Sequence, residues 1–115
     1  MLDILFLLNV AWIMAHELDA IRHHEWRVLP ITAPFAEPVG YRVFVLAHIP
    51  LLMGIMAAGQ DTTFQVAFNL FLIIHVGLHW LFRNHPQYEF SDRFSRLLIV
   101  GGGPLGALHL ALLAL

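Results

Sequence analysis

The chain has 115 residues, a formal charge of −2, 59% hydrophobic residues and only 12% charged ones. This composition excludes an ordinary soluble domain and predicts an integral membrane protein. The absence of cysteine excludes disulfides and thiolate metal sites. The few arginines form no basic face, so we do not expect nucleic-acid binding.

The first apolar run extends from Ile4 to Ala15 and continues into a polar stretch that can still form a helix. A signal peptide fits this run poorly, because Asp3 stands where basic residues are expected and no small-residue cleavage site follows. We predict one helix over residues 4–28, whose polar second half can enter a membrane only against other protein. Because the apolar run is short, the alternative is a three-helix protein with an interfacial first helix.

Three further apolar segments predict helices over residues 41–58, 63–84 and 94–115. Each is near the roughly 20 residues that a ~30 Å hydrocarbon core requires. The glycine-rich stretch at residues 101–106 predicts either a helix break or a close helix contact. With no repeat or linker, the sequence predicts a single transmembrane domain over residues 1–115, an all-α integral membrane four-helix bundle.

The positions of the arginines predict which side of the membrane each connection faces. All six lie near the connections that follow the first and third helices, and neither terminus carries one. By the positive-inside rule those connections face the cytoplasm, and both termini are then outside.

Each of the four helices contributes histidine to the cytoplasmic half of the bundle or just past its midplane, and the first helix adds acids there. A rise of ~1.5 Å per residue places them between roughly 8 and 20 Å from the cytoplasmic helix ends. The candidate metal ligands are His16, Asp19, His23, His48, His75, His79 and His109, and Glu17 is the candidate catalytic residue and a further candidate ligand.

Helical spacing adds to this depth argument. His16, Asp19 and His23 follow i, i+3, i+7 spacing, and His75 and His79 follow i, i+4 spacing, so each set shares one helix face. Neutral imidazole is the commonest protein metal ligand, and carboxylates neutralise part of a dication's charge. The sequence predicts a site for one or two divalent ions, iron or zinc, in the cytoplasmic half of the bundle.

Several of these residues also have a purely structural interpretation. A lone membrane histidine such as His48 or His109 can hydrogen-bond between helices. His24, Glu25 and Arg27 are expected to lie in a solvated interfacial turn, and His85 is expected in a loop before proline.

If the protein is an enzyme, we expect a metal-dependent oxidoreductase or hydrolase acting on a lipid-like substrate from the membrane. One alternative is a b-type haem or electron-transfer subunit that uses two histidines as axial ligands. Another is a non-catalytic membrane subunit whose polar core directs assembly, including assembly of a homo-oligomer. Metal transport is less well supported, because the outer half offers few polar groups beyond Asn9, Gln65 and Asn69.

Three strings carry a resemblance to a known family: HELDA at residues 16–20, HEWR at 24–27, and HxGLHWLFRNHPxYEF at 75–90. They resemble a family of small bacterial four-helix membrane proteins of uncharacterised function. The resemblance implies a multi-pass protein of the bacterial inner membrane and brings no catalytic residues.

A weaker similarity is to the membrane-bound histidine-rich di-iron hydroxylases. Only His75 and His79 match an HxxxH box of those enzymes, and the His23-His24 pair lacks the histidine three residues earlier.

Overall fold

The computed structural model describes residues 2–115 as four long helices and one short 3₁₀ turn. The helices are α1 (Leu2–Arg22), α2 (Glu37–Ala58), α3 (Thr62–Leu81) and α4 (Arg93–Leu113), and the 3₁₀ turn is Glu25–Arg27. All four helices are long and apolar enough to span a membrane. The predicted all-α four-helix bundle is confirmed. The predicted single domain also includes Met1, which lies outside the described residues.

Two helices begin at side-chain caps. The Asp61 carboxylate accepts a hydrogen bond from the Phe64 amide at 2.8 Å, and the Asp92 carboxylate accepts one from the Ser95 amide at 2.8 Å. Such caps satisfy amide groups that have no partner within the helix. They fix where α3 and α4 enter the bundle.

The end of α1 differs most from the prediction. The helix ends at Arg22 rather than at Val28, because His24 adopts a left-handed conformation with φ 53° and ψ 47°. The chain then reverses into the 3₁₀ turn, which buries Glu25 and Trp26. Helix α2 also begins at Glu37, before its predicted start at residue 41, and α3 ends at Leu81 rather than at residue 84.

Helix α4 packs against both α1 and α3 through glycine. A Cβ added at Gly101 would collide with the Trp12 ring, and one at Gly106 would lie 2.9 Å from the Asn69 carbonyl oxygen. Of the two predicted outcomes for the glycine stretch, the structure has the close contact, because α4 is continuous through Pro104. Small residues allow this approach where no side chain would fit.

Helix α2 lies at the edge of the bundle. Near its start Phe44 packs on Trp26, with ring centroids 5.6 Å apart, and near its end Ile55 joins the apolar core. Most large apolar side chains between them are exposed, as expected for a lipid-facing surface. Between the contacts at Phe44 and Ile55, a groove separates α2 from α1.

An apolar layer divides the interior of the bundle. Ile13 on α1 and Leu72 on α3 are 3% and 1% exposed. Each lies between two polar positions on its own helix, and these four polar residues are Asn9 and His16 on α1, and Asn69 and His75 on α3. The interior therefore has two polar layers with hydrocarbon between them.

Candidate metal centre

Four buried residues bring donor atoms to one point: His16, Glu25, His75 and His79. One ligand atom from each lies within 4.8 Å of all the others. The Glu25 Oε1 atom is 3.0 Å from His79 Nε2, 3.7 Å from His16 Nε2 and 3.9 Å from His75 Nε2. One carboxylate oxygen thus faces three imidazole nitrogens.

Three separate segments position these donors. His75 and His79 are one turn apart on α3, and their ring centroids lie 4.6 Å from each other. The ring of His16 on α1 lies 4.5 Å from His75 and 5.0 Å from His79. Glu25 comes from the 3₁₀ turn, and Phe90 covers the group with its ring 4.9 Å from that of His79.

Hydrogen bonds and charge set the protonation of two groups at this centre. Burial favours a higher pKa for Glu25, but the hydrogen bond with His79 and the positive charge that His16 and His79 can carry outweigh it and lower the pKa below its ordinary value. Burial, and then the charge of Glu25, raises the pKa of Tyr88, whose hydroxyl lies 3.1 Å from His79 Nδ1. The carboxyl is therefore ionised, and the phenol keeps its proton.

Two of the histidines lack partners. The buried atoms His16 Nδ1, His16 Nε2 and His75 Nε2 have no hydrogen-bond partner among residues 2–115. A buried polar atom without a partner costs about 1–3 kcal/mol. The arrangement therefore leaves basic nitrogens unsatisfied beside an ionised carboxylate.

These donors suit a divalent ion in both number and spacing. Ligand bonds of about 2.0–2.2 Å in a tetrahedral site separate neighbouring donor atoms by about 3.3–3.6 Å. The distances from Glu25 Oε1 to the three nitrogens, 3.0 to 3.9 Å, bracket that range. A cavity of about 30 Å³ adjoins the centre and is lined in part by Glu25, His75 and His79. That volume has room for about one water molecule.

Glu17 and His48 form a second pair beside this centre. His48 Nε2 lies 2.8 Å from Glu17 Oε2, and His48 Nδ1 lies 2.8 Å from the Phe44 carbonyl oxygen. Because a carbonyl only accepts, Nδ1 is the donor there, and the Nε2–Oε2 contact needs a further proton. The pair thus shares one proton, and Glu17 Oε1 lies 4.0 Å from His16 Nε2.

Asp19 and His23 join a different polar group. Ser95 Oγ at the start of α4 lies 2.6 Å from Asp19 Oδ2, 2.9 Å from His23 Nε2 and 2.9 Å from Asp92 Oδ2. The Asp92 carboxylate also caps α4. This group therefore ties the end of α1 to the start of α4.

His109 lies in the polar layer on the other side of Ile13 and Leu72. Its Nδ1 accepts a hydrogen bond of 2.8 Å from the Asn69 side-chain amide, and Asn9 donates one of 2.8 Å to Asn69 Oδ1. This network joins α1, α3 and α4.

The predicted site residues therefore separate into four groups. His16, His75 and His79 come together, whereas Asp19 and His23, the Glu17–His48 pair, and His109 lie elsewhere. Glu25 is the donor that the sequence analysis missed. The expectation of a solvated turn is wrong for Glu25, which is only 6% exposed.

One signal in the sequence could have identified Glu25. The segment from Leu2 to Arg22 is already long enough to cross a ~30 Å core. The chain beyond it is then free to fold back, and an acidic residue next to a tryptophan can return to the bundle. His24 and Arg27 do lie nearer the surface, where His24 Nδ1 is 2.8 Å from Glu89 Oε2 and Arg27 forms an ion pair with Glu37 at 2.8 Å.

Comparison with known proteins identifies one family. A model of a family of unknown function (DUF6713) matches residues 2–115. No curated protein and no solved structure matches the chain. Interpretation of the centre therefore depends on its own geometry.

Proposed function

The chain belongs to this family of unknown function, and from the geometry of its buried centre we propose that it is a membrane metalloprotein. It binds one divalent ion through His16, Glu25, His75 and His79. The observation that carries the proposal is the set of unpartnered nitrogens on His16 and His75 around an ionised carboxylate.

A structure without an ion would leave this group poorly satisfied. The Nε2–H of His79 can donate to Glu25 across 3.0 Å, but the nitrogens of His16 and His75 are too distant for that, at 3.7 and 3.9 Å. One cation that takes Nε2 from all three rings removes the unpaired atoms at that point. His79 Nδ1–H then donates to the Tyr88 hydroxyl, the outer hydrogen bond that normally orients a metal-bound imidazole.

The donor set favours iron or zinc. Imidazole suits both metals, and one carboxylate neutralises half of a dication's charge in a medium of low dielectric constant. A haem would need two imidazoles on opposite faces of a wide macrocycle. The three rings instead lie in mutual contact, with centroids 4.5 to 5.0 Å apart.

When bound, such an ion supplies Lewis acidity to an oxygen atom that it coordinates. Glu17 shares a proton with His48 through Oε2, and its other oxygen, Oε1, lies 4.0 Å from His16 Nε2 and can take up a further proton. This pair is therefore the proton acceptor of the proposed site. Glu17 and His48 line two mostly apolar cavities: one of about 280 Å³ lies between α1 and α2, and one of about 210 Å³ is also lined by Phe68 and Phe71 of α3. An apolar cavity beside a proton acceptor suits a lipid-like substrate of an oxidoreductase or hydrolase.

The proposal includes the predicted location. The Glu25 centre lies toward the end of the bundle that carries the arginines, and by the positive-inside rule that end faces the cytoplasm of a bacterial inner membrane. A substrate would then enter from the membrane through the groove between α1 and α2.

Metal analysis of the detergent-purified protein, reconstituted with Fe²⁺ or Zn²⁺ and freed of loose metal, tests the proposal. We expect about one ion per chain, and loss of that ion in the double variant His75→Ala/His79→Ala, because two of the four ligands are gone. His85→Ala is the matched control, since His85 Nδ1 accepts from the Gln87 amide in a loop and does not face the centre. Failure of the wild type to retain an ion, or its retention in the double variant, would refute the metal site.

A further inference from the structure

A cavity of about 440 Å³ lies where the end of α3 meets the start of α4. Its polar wall contains Trp80, Arg83, Tyr88 and Arg96, and its apolar wall contains Ile99 and Val100. Arg83 lies two residues beyond the end of α3, and Arg96 lies in the first turn of α4. Both guanidinium groups therefore lie near the membrane surface rather than at the centre of the hydrocarbon.

The two arginines carry positive charge that is not neutralised nearby. Within residues 2–115, neither Arg83 nor Arg96 has a carboxylate oxygen within 4.0 Å, whereas Arg27 pairs with Glu37 at 2.8 Å. Arg83 is held in place, because it donates to the Trp80 carbonyl at 2.7 Å and lies 4.0 Å over the Trp80 ring. An anion near this cavity would gain two charge-assisted contacts.

The cavity also has an apolar side. Val76 on α3 and Val100 on α4 line it, and Val100 is 54% exposed on the surface that faces lipid. A guanidinium group binds phosphate through paired N–H donors, and valine side chains favour hydrocarbon. The combination fits a molecule with an anionic head and an apolar tail.

We propose that this cavity binds an anionic phospholipid, with the phosphate between Arg83 and Arg96 and an acyl chain along Val76 and Val100. The lipid headgroup then lies beside His79, Tyr88 and Phe90, which also line the small cavity at the metal centre. The inference goes beyond the proposed function, because binding of the lipid does not require the ion.

Native mass spectrometry of the full chain in detergent tests the inference, with dioctanoyl phosphatidylglycerol and dioctanoyl phosphatidylcholine as probes. We expect about one bound phosphatidylglycerol per chain and roughly ten-fold weaker binding of the zwitterionic lipid. In Arg83→Gln/Arg96→Gln, binding of phosphatidylglycerol should weaken roughly ten-fold or more. Inorganic phosphate should displace it only at far higher concentration, because it lacks the apolar tail.

The double variant Arg22→Gln/Arg42→Gln is the matched control, since it removes the same charge from arginines that do not line the cavity. It should bind phosphatidylglycerol within about two-fold of wild type. Equal weakening in this control, equal affinity for phosphatidylcholine, or displacement by phosphate at matched concentration would overturn the inference. Metal content measured on the same samples separates this result from the proposed function, because neither double variant removes a ligand.

Discussion

Substitution of Glu25 by glutamine tests the metal centre most directly, because it removes the only carboxylate among the proposed ligands and preserves the side-chain size. Glu25 Oε1 lies 3.0 to 3.9 Å from three imidazole nitrogens. Loss of a residue that only hydrogen-bonds to a metal ligand weakens metal binding about 10–100-fold. We expect the loss of the charged ligand itself to weaken it by at least about 100-fold.

This change in affinity converts into a difference in stability. An ion at about 100 times the wild-type dissociation constant stabilises the fold by about 2.7 kcal/mol, and the same relation leaves about 0.4 kcal/mol if binding is 100-fold weaker. The assay is unfolding by sodium dodecyl sulfate in detergent micelles, followed by circular dichroism, with and without Zn²⁺. The stabilisation by Zn²⁺ should fall by about 2.3 kcal/mol in Glu25→Gln.

Glu89→Gln is the control for this prediction. Glu89 is a surface glutamate that pairs with His24 at 2.8 Å and lies outside the donor group. Its variant should keep the full stabilisation by Zn²⁺. If Glu25→Gln keeps it as well, or if Glu89→Gln loses as much, Glu25 is not a ligand and the reasoning from donor geometry fails.

Two further predictions concern the support of the centre and the packing of α4. Tyr88→Phe removes the hydroxyl that lies 3.1 Å from His79 Nδ1. Metal affinity, measured by competition with a chelator, should weaken about ten-fold. Unchanged affinity would contradict the role of Tyr88 in orienting the His79 ring. Gly106→Ala would place a Cβ 2.9 Å from the Asn69 carbonyl oxygen. Overpacking there should cost about 1–3 kcal/mol and exceed the gain in helix propensity of about 1 kcal/mol, so the free energy of unfolding should fall. A Cβ added at Gly77 meets no atom of the described part of the chain within 4 Å, so Gly77→Ala should keep that gain in unfolding assays. Equal shifts in both glycine variants would contradict the close contact.

The bundle and part of its centre could be predicted because their signals are local. Hydropathy over a stretch of about 20 residues identifies a membrane span. His75 and His79 share a face at i, i+4 spacing whatever the rest of the chain does. These predictions need no knowledge of tertiary contacts, because they depend only on the geometry of one helix.

Grouping of residues by depth is coarser than a metal site requires. His16 and His23 share a face of α1, but seven residues separate them, which is about 10 Å along the axis. An ion accepts ligand atoms only at about 2 Å. His23 therefore meets Ser95, one layer away from His16, and depth alone could not separate these two positions.

The length of α1 indicates that the chain folds back after Arg22, but it does not place the Glu25 carboxylate, because that position depends on one backbone conformation. His24 has a positive φ of 53°, which is uncommon for a residue with a side chain. Burial of Trp26 against Phe44 and Gly40 accompanies this reversal, and these contacts are made with α2, further along the chain. No local pattern encodes them.

The apolar layer of Ile13 and Leu72 has an electrical consequence. It insulates the proposed ion from the polar groups near the other end of the bundle, so protons reaching Glu17 and His48 would come from one side only. Moving one elementary charge across a whole membrane is worth about 2.3 kcal/mol per 100 mV. A proton that enters and leaves on the same side of this insulator crosses no net part of that voltage. Proton exchange at the centre should therefore depend little on the membrane potential.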